Sequence, residues 1–161
     1  MSTHNLFVRT QDSFEPATST QILTAARQLL AHRVRRGAAL TSPQQVREYL
    51  TVKLGALDHE VFAVILVDNR HRVIEYVELF RGTIDGASVH PREVVKLALD
   101  KGAAACLLVH PHPSGVAEPS HADELITRRL RDALALVDVR LLDHLIVAGP
   151  RVLSMAEQGL L

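Results

Sequence analysis

The sequence contains little that could be cross-linked, stacked or carried across a membrane. A single cysteine in 161 residues excludes an internal disulfide. Tryptophan is absent and aromatic residues make up 4% of the chain, which disfavours binding of single-stranded nucleic acid by base stacking. The N-terminus has no apolar signal core, and no apolar run approaches the length of a membrane span. We therefore expect a bacterial cytoplasmic protein with no membrane partner.

Net charge is also missing, because 18 basic residues balance 18 acidic ones. No whole-molecule field would draw such a protein onto nucleic acid or an anionic membrane. Apolar residues are abundant at 47%, enough to fill the core of one domain of this length. The lone Cys106 lies in the apolar run at residues 103–109, which predicts a buried strand rather than thiol chemistry.

The first forty residues differ from the rest of the chain. Residues 1–18 are polar and aperiodic, and they are followed by apolar residues at helical spacing. The residues that define this one amphipathic helix are Ile22, Leu23, Ala26, Leu29 and Leu30. Because this stretch is too short for a domain, we predict an N-terminal arm over residues 1–40. The folded domain is expected over residues 41–161.

Predicted strands and helices interleave along that domain. Ser42 suits an N-cap and Pro43 a first helical position, so a helix is expected to run to about residue 54. Strands are predicted over residues 60–67, 73–80, 103–109, 141–147 and 151–153, and further helices begin at Pro91 and Ser120. The turn at residues 68–71 makes the first two strands an antiparallel hairpin. We therefore expect an α/β fold with a mixed sheet between helices on both faces.

The chemistry of the sequence is concentrated where the third predicted strand ends. His110 and His112 are two residues apart, so in a strand both imidazoles point to the same side. Each precedes a proline, which holds it extended. Gly115 lets the loop turn back, and the helix that opens at Ser120 brings Asp123 round as a third ligand. Two imidazoles and one carboxylate leave a fourth position for water, as in a catalytic zinc site.

Each of these residues also has a simpler interpretation. Ser120 and Asp123 would form a helix-capping pattern without any metal. A His-x-His pair can arise by chance among nine histidines. The combination of paired histidines after a buried strand, a turning loop, and Ser and Asp at a helix start favours metal binding.

The same residues resemble a known family. His110-Pro111-His112, followed after seven residues by Ser120 and Asp123, matches the JAMM pattern. The surrounding loop resembles the MPN domain of RadC-type proteins, especially their short members. Further RadC-like segments are residues 78–83, 89–94 and 142–147. The resemblance covers the chain from about residue 41 onwards.

The resemblance implies a three-layer α/β/α MPN fold, one zinc ion per chain, and activity as a metallopeptidase or isopeptidase on a peptide or isopeptide substrate. The family is historically named for DNA repair. Two features depart from the family. The first is Pro111, which stands where RadC-type proteins typically have asparagine and so removes one amide near the site. In addition, residues 1–40 are too few to contain the helix-hairpin-helix-like region of longer members. We therefore expect only weak binding of nucleic acid.

JAMM enzymes also use a glutamate on an early strand to handle the proton of the attacking water. Glu60, ahead of the first apolar strand, is our candidate for this base, with Glu75 and Glu78 on the next strand as alternatives. Ser120 would then donate its hydroxyl to an oxyanion, a role that competes with capping. Three other histidines could hydrogen-bond to the ligands, but each is more simply interpreted as a capping or packing residue: His90, His121 and His144.

Three functional classes follow from these observations. A zinc peptidase needs the three ligands and an available base, and the sequence offers both. A non-catalytic scaffold would keep the ligands and lack the base. A nucleic-acid-associated protein would use two groups of arginines, which are more simply interpreted as solvated helix faces. Those arginines are Arg33, Arg35, Arg36, Arg128, Arg129 and Arg131. The sequence does not indicate an oligomeric state.

Overall fold

The computed structural model describes residues 6–9, 13–31, 36–40, 42–82 and 89–161. Its helices are α1 (Ser19–Ala31), α2 (Pro43–Leu54), α3 (Pro91–Asp100) and α4 (His121–Ala135). Its strands are β1 (Phe7–Arg9), β2 (Phe14–Pro16), β3 (Val61–Val67), β4 (Val73–Arg81), β5 (Ala105–Pro111), β6 (Arg140–Ala148) and β7 (Arg151–Ser154). The last five strands form one sheet in the order β4-β3-β5-β6-β7. Within this sheet β5 and β6 are parallel and the other neighbouring pairs are antiparallel, so the predicted mixed sheet is confirmed.

Two apolar clusters, one on each face of the sheet, confirm the three-layer arrangement. Alternate side chains along a strand point to opposite faces, so Ile65 joins one cluster and Leu66 the other. Leu50 of α2 packs into the first cluster. Leu130 of α4 and Val94 of α3 pack into the second. The sheet therefore has α2 on one face and α3 with α4 on the other.

The boundaries of several elements differ from the sequence-based prediction. The third strand of the domain was expected over residues 103–109, and β5 instead covers Ala105–Pro111. The polar N-terminal stretch contains the short antiparallel pair β1 and β2, which the lack of apolar periodicity did not predict. Ser42 does occupy the N-cap of α2, but its side chain makes no capping hydrogen bond. The start of the folded domain, predicted at Thr41, falls on a residue outside the described ones.

Two further predictions concern the environment of Cys106 and the length and apolar character of the helices. Cys106 is fully buried in β5, as predicted, and burial raises the pKa of its thiol to about 12. The thiol is therefore protonated and acts as a small apolar side chain. In the described part of the chain, no helix combines the length and apolar character needed to cross a bilayer.

Candidate metal centre

The candidate ligands come together at the end of β5 where it faces α4. His110 lies within β5, whose last residue is Pro111, and His112 follows directly. The loop then turns at Gly115, which has a φ of 77° that favours glycine. This turn leads to the first residues of α4, where Asp123 is buried against the sheet.

The distances between the three side chains are those of a single cluster. Nε2 of His110 lies 2.8 Å from Nε2 of His112 and 3.0 Å from Oδ1 of Asp123. Nε2 of His112 lies 3.3 Å from Oδ2 of Asp123. The three residues can each direct one ligand atom to a common point, and they could hold a metal ion. The predicted residues are thus the ones that the fold brings together.

The contact that Nδ1 of His112 makes shows which nitrogen of the ring carries the hydrogen. Nδ1 of His112 lies 2.9 Å from the backbone oxygen of Val116. A carbonyl oxygen can only accept, so Nδ1 of a neutral His112 carries the hydrogen and donates it. Nε2 of His112 then carries no hydrogen, and its lone pair faces His110 and Asp123. This is the protonation state required of a metal ligand.

The carboxylate of Asp123 supplies the test of whether a cation fits here. Its Oδ1 is buried and has no hydrogen-bond partner among the described residues, although Nε2 of His110 lies 3.0 Å away. A buried carboxylate oxygen without a donor is costly unless a cation compensates it. Bonds of about 2.0–2.1 Å would place two ligands of a tetrahedral zinc ion about 3.3 Å apart. The observed separations of 2.8, 3.0 and 3.3 Å approach that value.

Burial and charge differ among the three residues. The side chains of His110 and Asp123 are 1% and 0% exposed, whereas His112 is 13% exposed, so His112 is the candidate ligand that reaches the surface. Burial alone would raise the pKa of Asp123, but close contacts with the imidazoles of His110 and His112 and the hydrogen bond from Ser120 hold the pKa well below its usual range. The same contact with Asp123 raises the pKa of His112. The cluster therefore contains a carboxylate that is ionised at neutral pH.

Ser120 forms the capping box that its position predicts. Its Oγ accepts the backbone N–H of Asp123 at 3.2 Å, and its own backbone N–H donates to Oδ2 of Asp123 at 2.7 Å. The Ser120 hydroxyl also donates to that Oδ2 at 2.7 Å. Ser120 thus both caps α4 and orients the carboxylate of Asp123.

Replacing Ser120 with alanine should lower the free energy of unfolding by about 1 kcal/mol, the usual effect of losing an N-cap side chain. Urea titration of the metal-free protein measures the change. Ser120→Thr retains a hydroxyl and is the matched control, for which we expect a smaller loss. An alanine variant as stable as the wild type would show that the capping contact contributes nothing.

Glu60 lies immediately before β3, which begins at Val61, one residue later than predicted. The antiparallel register of β3 with β5 pairs Ala63 with Val109. Continued beyond that pair, the register brings Phe62 opposite His110, and the two rings are stacked at 6.3 Å between centroids. Glu60 and His112 lie just outside the two strands, and the same alternation extended by two positions places both on this face. Hydrogen bonding to Asp123 is the main cause of the raised pKa of His112, and the charge of Glu60 adds to it.

The two alternative glutamates lie elsewhere on the sheet. The carboxylate of Glu78 contacts Lys53 of α2 at 3.8 Å and lines a cavity of about 420 Å³ on the α2 face. The candidate ligands lie on the opposite, α4 face. Glu75 is paired with Leu66, towards the other end of β3, and forms an ion pair of 2.6 Å with Lys101.

Sequence reasoning missed part of the surroundings of His110. Its Nδ1 lies 2.8 Å from Nε2 of His144, a fully buried residue of β6 that we interpreted as a packing histidine. Thr127 in turn contacts His144 and was not singled out at all. It lies one helical turn after Asp123, and a polar residue on an otherwise apolar helix face was the available signal. Burial lowers the pKa of His144 well below its usual value, so its ring is neutral.

The other polar residues singled out from the sequence have surroundings that differ from those of the candidate ligands. His90 occupies the N-cap of α3 without a side-chain capping bond, and its ring packs on Phe80 at 6.4 Å. His121, at the start of α4, is exposed. Two arginines of α4 are paired with acids of the same helix, Arg128 with Glu124 at 3.2 Å and Arg131 with Asp132 at 3.3 Å. Arg33 and Arg35 lie outside the described residues.

Comparison with known proteins gives a consistent family match. The RadC-like JAB domain family matches residues 40–160. The UPF0758 protein of Thioalkalivibrio sulfidiphilus is 61% identical over 140 residues, which cover 87% of this chain and 62% of the relative. The UPF0758 protein of Nitrosococcus oceani is 59% identical over 139 residues, covering 86% and 62%. This chain therefore spans about three fifths of the length of the curated relatives it matches.

Proposed function

The chain belongs to the RadC-like JAB domain family, and on that premise we propose that it is a zinc-dependent hydrolase of peptide or isopeptide bonds. The observation that carries the proposal is the convergence of three ligand atoms on one point. Two imidazole nitrogens and a carboxylate lie within 4.8 Å of one another at the end of β5. This set has the composition of a catalytic zinc site, since it leaves a coordination position for water or substrate.

Each residue of the centre has a separate task in this proposal. His110, His112 and Asp123 hold the ion. The bound zinc ion supplies Lewis acidity, which polarises an amide carbonyl and makes a water molecule easier to deprotonate. Glu60 accepts a proton from the attacking water at its carboxylate and returns it to the leaving nitrogen. Its place opposite His112 by strand register supports this assignment over Glu75.

Ser120 is proposed to serve the oxyanion that forms as water adds to the carbonyl. Its hydroxyl hydrogen points to Oδ2 of Asp123 in this structure, at 2.7 Å. Donation to an oxyanion therefore requires the hydroxyl to change partner when substrate binds. The backbone N–H of Ser120 also donates to Oδ2, so the carboxylate would keep one hydrogen bond during that exchange.

The first test is metal content. Protein purified without chelators should contain about one zinc ion per chain, measured by elemental analysis, because three ligands and a water complete a tetrahedral site. A stoichiometric ion of manganese or iron would change the cofactor and keep the site. A protein that contains no transition metal and does not take up micromolar zinc would contradict the proposal.

The activity itself requires a substrate screen. We expect the zinc-loaded protein to cleave a member of a panel of peptides and isopeptide-linked conjugates, and a chelator to stop the cleavage. Mass spectrometry of the products identifies which bond is broken. If a zinc-loaded protein cleaves no amide in the panel, the scaffold hypothesis gains support over the enzyme.

Binding to duplex DNA should be weak and should decrease steeply with salt. The formal net charge is zero, and the arginines of α4 include two that are paired with acids. Electrostatic contacts to phosphate weaken as counterions compete. Gel-shift titrations at two salt concentrations measure this dependence, and tight sequence-selective binding at moderate salt would favour a nucleic-acid function instead.

A further inference from the structure

A chain of buried hydrogen-bonding groups connects His110 to the backbone of α4. Nδ1 of His110 lies 2.8 Å from Nε2 of His144, and Nδ1 of His144 lies 2.6 Å from Oγ1 of Thr127. Oγ1 of Thr127 lies 2.5 Å from the backbone oxygen of Asp123. All three side chains are at most 1% exposed. Groups this deeply buried must satisfy their hydrogen bonds with one another.

The backbone oxygen of Asp123, at the end of this series of hydrogen bonds, determines which atom donates in each of them. The backbone oxygen of Asp123 can only accept, so the single hydroxyl hydrogen of Thr127 is directed to it. His144 must then donate from Nδ1 to the oxygen of Thr127. A neutral imidazole has one N–H, so Nε2 of His144 is an acceptor. Nδ1 of His110 therefore donates, and Nε2 of His110 is bare.

Reversing these hydrogen bonds would leave an unfavourable contact between two oxygen atoms. If Thr127 donated to His144, its oxygen and the backbone oxygen of Asp123 would lie 2.5 Å apart with no hydrogen between them. Two buried acceptors at that separation repel each other strongly, because little solvent screens them. The sulfur of Met155, 3.7 Å from Oγ1 of Thr127, is a weaker acceptor than either.

We propose that Thr127 and His144 are positioning residues that hold His110 in the tautomer with hydrogen on Nδ1, so that Nε2 is presented to the metal. The proposal rests on the metal-dependent function proposed above. Asp123 takes part twice, because its carboxylate is a ligand and its backbone oxygen sets the direction of the hydrogen bonds. His112 is oriented more simply, by direct donation to Val116. Both histidines therefore present the same nitrogen by different means.

Thr127→Val tests the proposal, because it removes the hydroxyl and nearly preserves the shape of the side chain. Thr127→Ser keeps the hydroxyl and is the matched control. The first measurement is nitrogen NMR of metal-free protein with labelled histidine, which reports the protonated ring nitrogen of neutral His144. We expect hydrogen on Nδ1 in the wild type and in Thr127→Ser, and a mixture of tautomers in Thr127→Val.

The second measurement is the dissociation constant for zinc. Loss of the direct partner of a ligating histidine weakens binding by about 10- to 100-fold; Thr127 acts through His144, so we expect a loss of about 10-fold in Thr127→Val and near-wild-type affinity in Thr127→Ser. Hydrogen on Nε2 of His144 in the wild type would overturn the proposal even if Thr127→Val failed to fold. Wild-type zinc affinity and tautomer in a folded Thr127→Val would also overturn it. Hydrogen on Nδ1 of His144 in a wild type that binds no zinc would support the proposed direction of the hydrogen bonds and contradict the metal-dependent function.

Discussion

Replacing His110 with alanine should abolish both stoichiometric zinc binding and hydrolysis. The remaining His112 and Asp123 form a poor two-ligand site, and structural or catalytic zinc needs at least three protein ligands to compete with water. Zinc that binds only the folded state stabilises it by about 2.7 kcal/mol at a free concentration of 100 times its dissociation constant. A chelator should therefore lower the unfolding temperature of the wild type and leave that of His110→Ala unchanged.

Two further variants separate loss of the ligand from loss of the fold. His110 is almost fully buried, so its removal also leaves a cavity. His112→Ala removes a ligand whose side chain is 13% exposed, and we expect the same loss of zinc with a smaller loss of stability. His121→Ala alters an exposed histidine two residues before Asp123 and should retain zinc. Full zinc occupancy in a folded His110→Ala would show that His110 is not a ligand.

Replacing Glu60 with glutamine should lower turnover by about 10²- to 10⁴-fold, the usual contribution of a general acid–base group. Glutamine has a similar shape and cannot accept the proton of the attacking water. The three candidate ligands remain in place, so zinc content should match that of the wild type. Elemental analysis and the rate of amide cleavage, measured on the same preparation, give both quantities.

The matched controls are Glu75→Gln and Glu78→Gln. Both are glutamates of β4, and their carboxylates contact Lys101 and Lys53, away from the ligand cluster. We expect both variants to retain turnover. A zinc-loaded Glu60→Gln that cleaves as fast as the wild type would exclude Glu60 as the base. A large loss of turnover in either control would then identify the base.

Much of the fold follows from local patterns in the sequence. Helix α2 begins at Pro43 and α3 at Pro91, as predicted, because proline suits the first turn of a helix and ends what precedes it. The strand ends are less well determined by composition. β5 extends to Pro111, since pairing of His110 and Pro111 with β6 continues past the last apolar residue. β1 and β2 have three residues each, too few to give a periodic signal in the sequence.

The sequence by itself determined the three candidate ligands, because their spacing reflects two local rules. Residues two apart share one side of a strand, and an acid at the third helical position faces back towards the helix start. Only the tertiary structure placed the carboxylates of Glu75 and Glu78 in ion pairs with Lys101 and Lys53, whereas the register of β3 with β5 carries Glu60 towards His112. It also decided the role of His144, which is 34 residues from His110 along the chain and 2.8 Å from it in space. Pairing between distant strands and the direction of buried hydrogen bonds depend on the packing of the whole domain, and no local pattern encodes either.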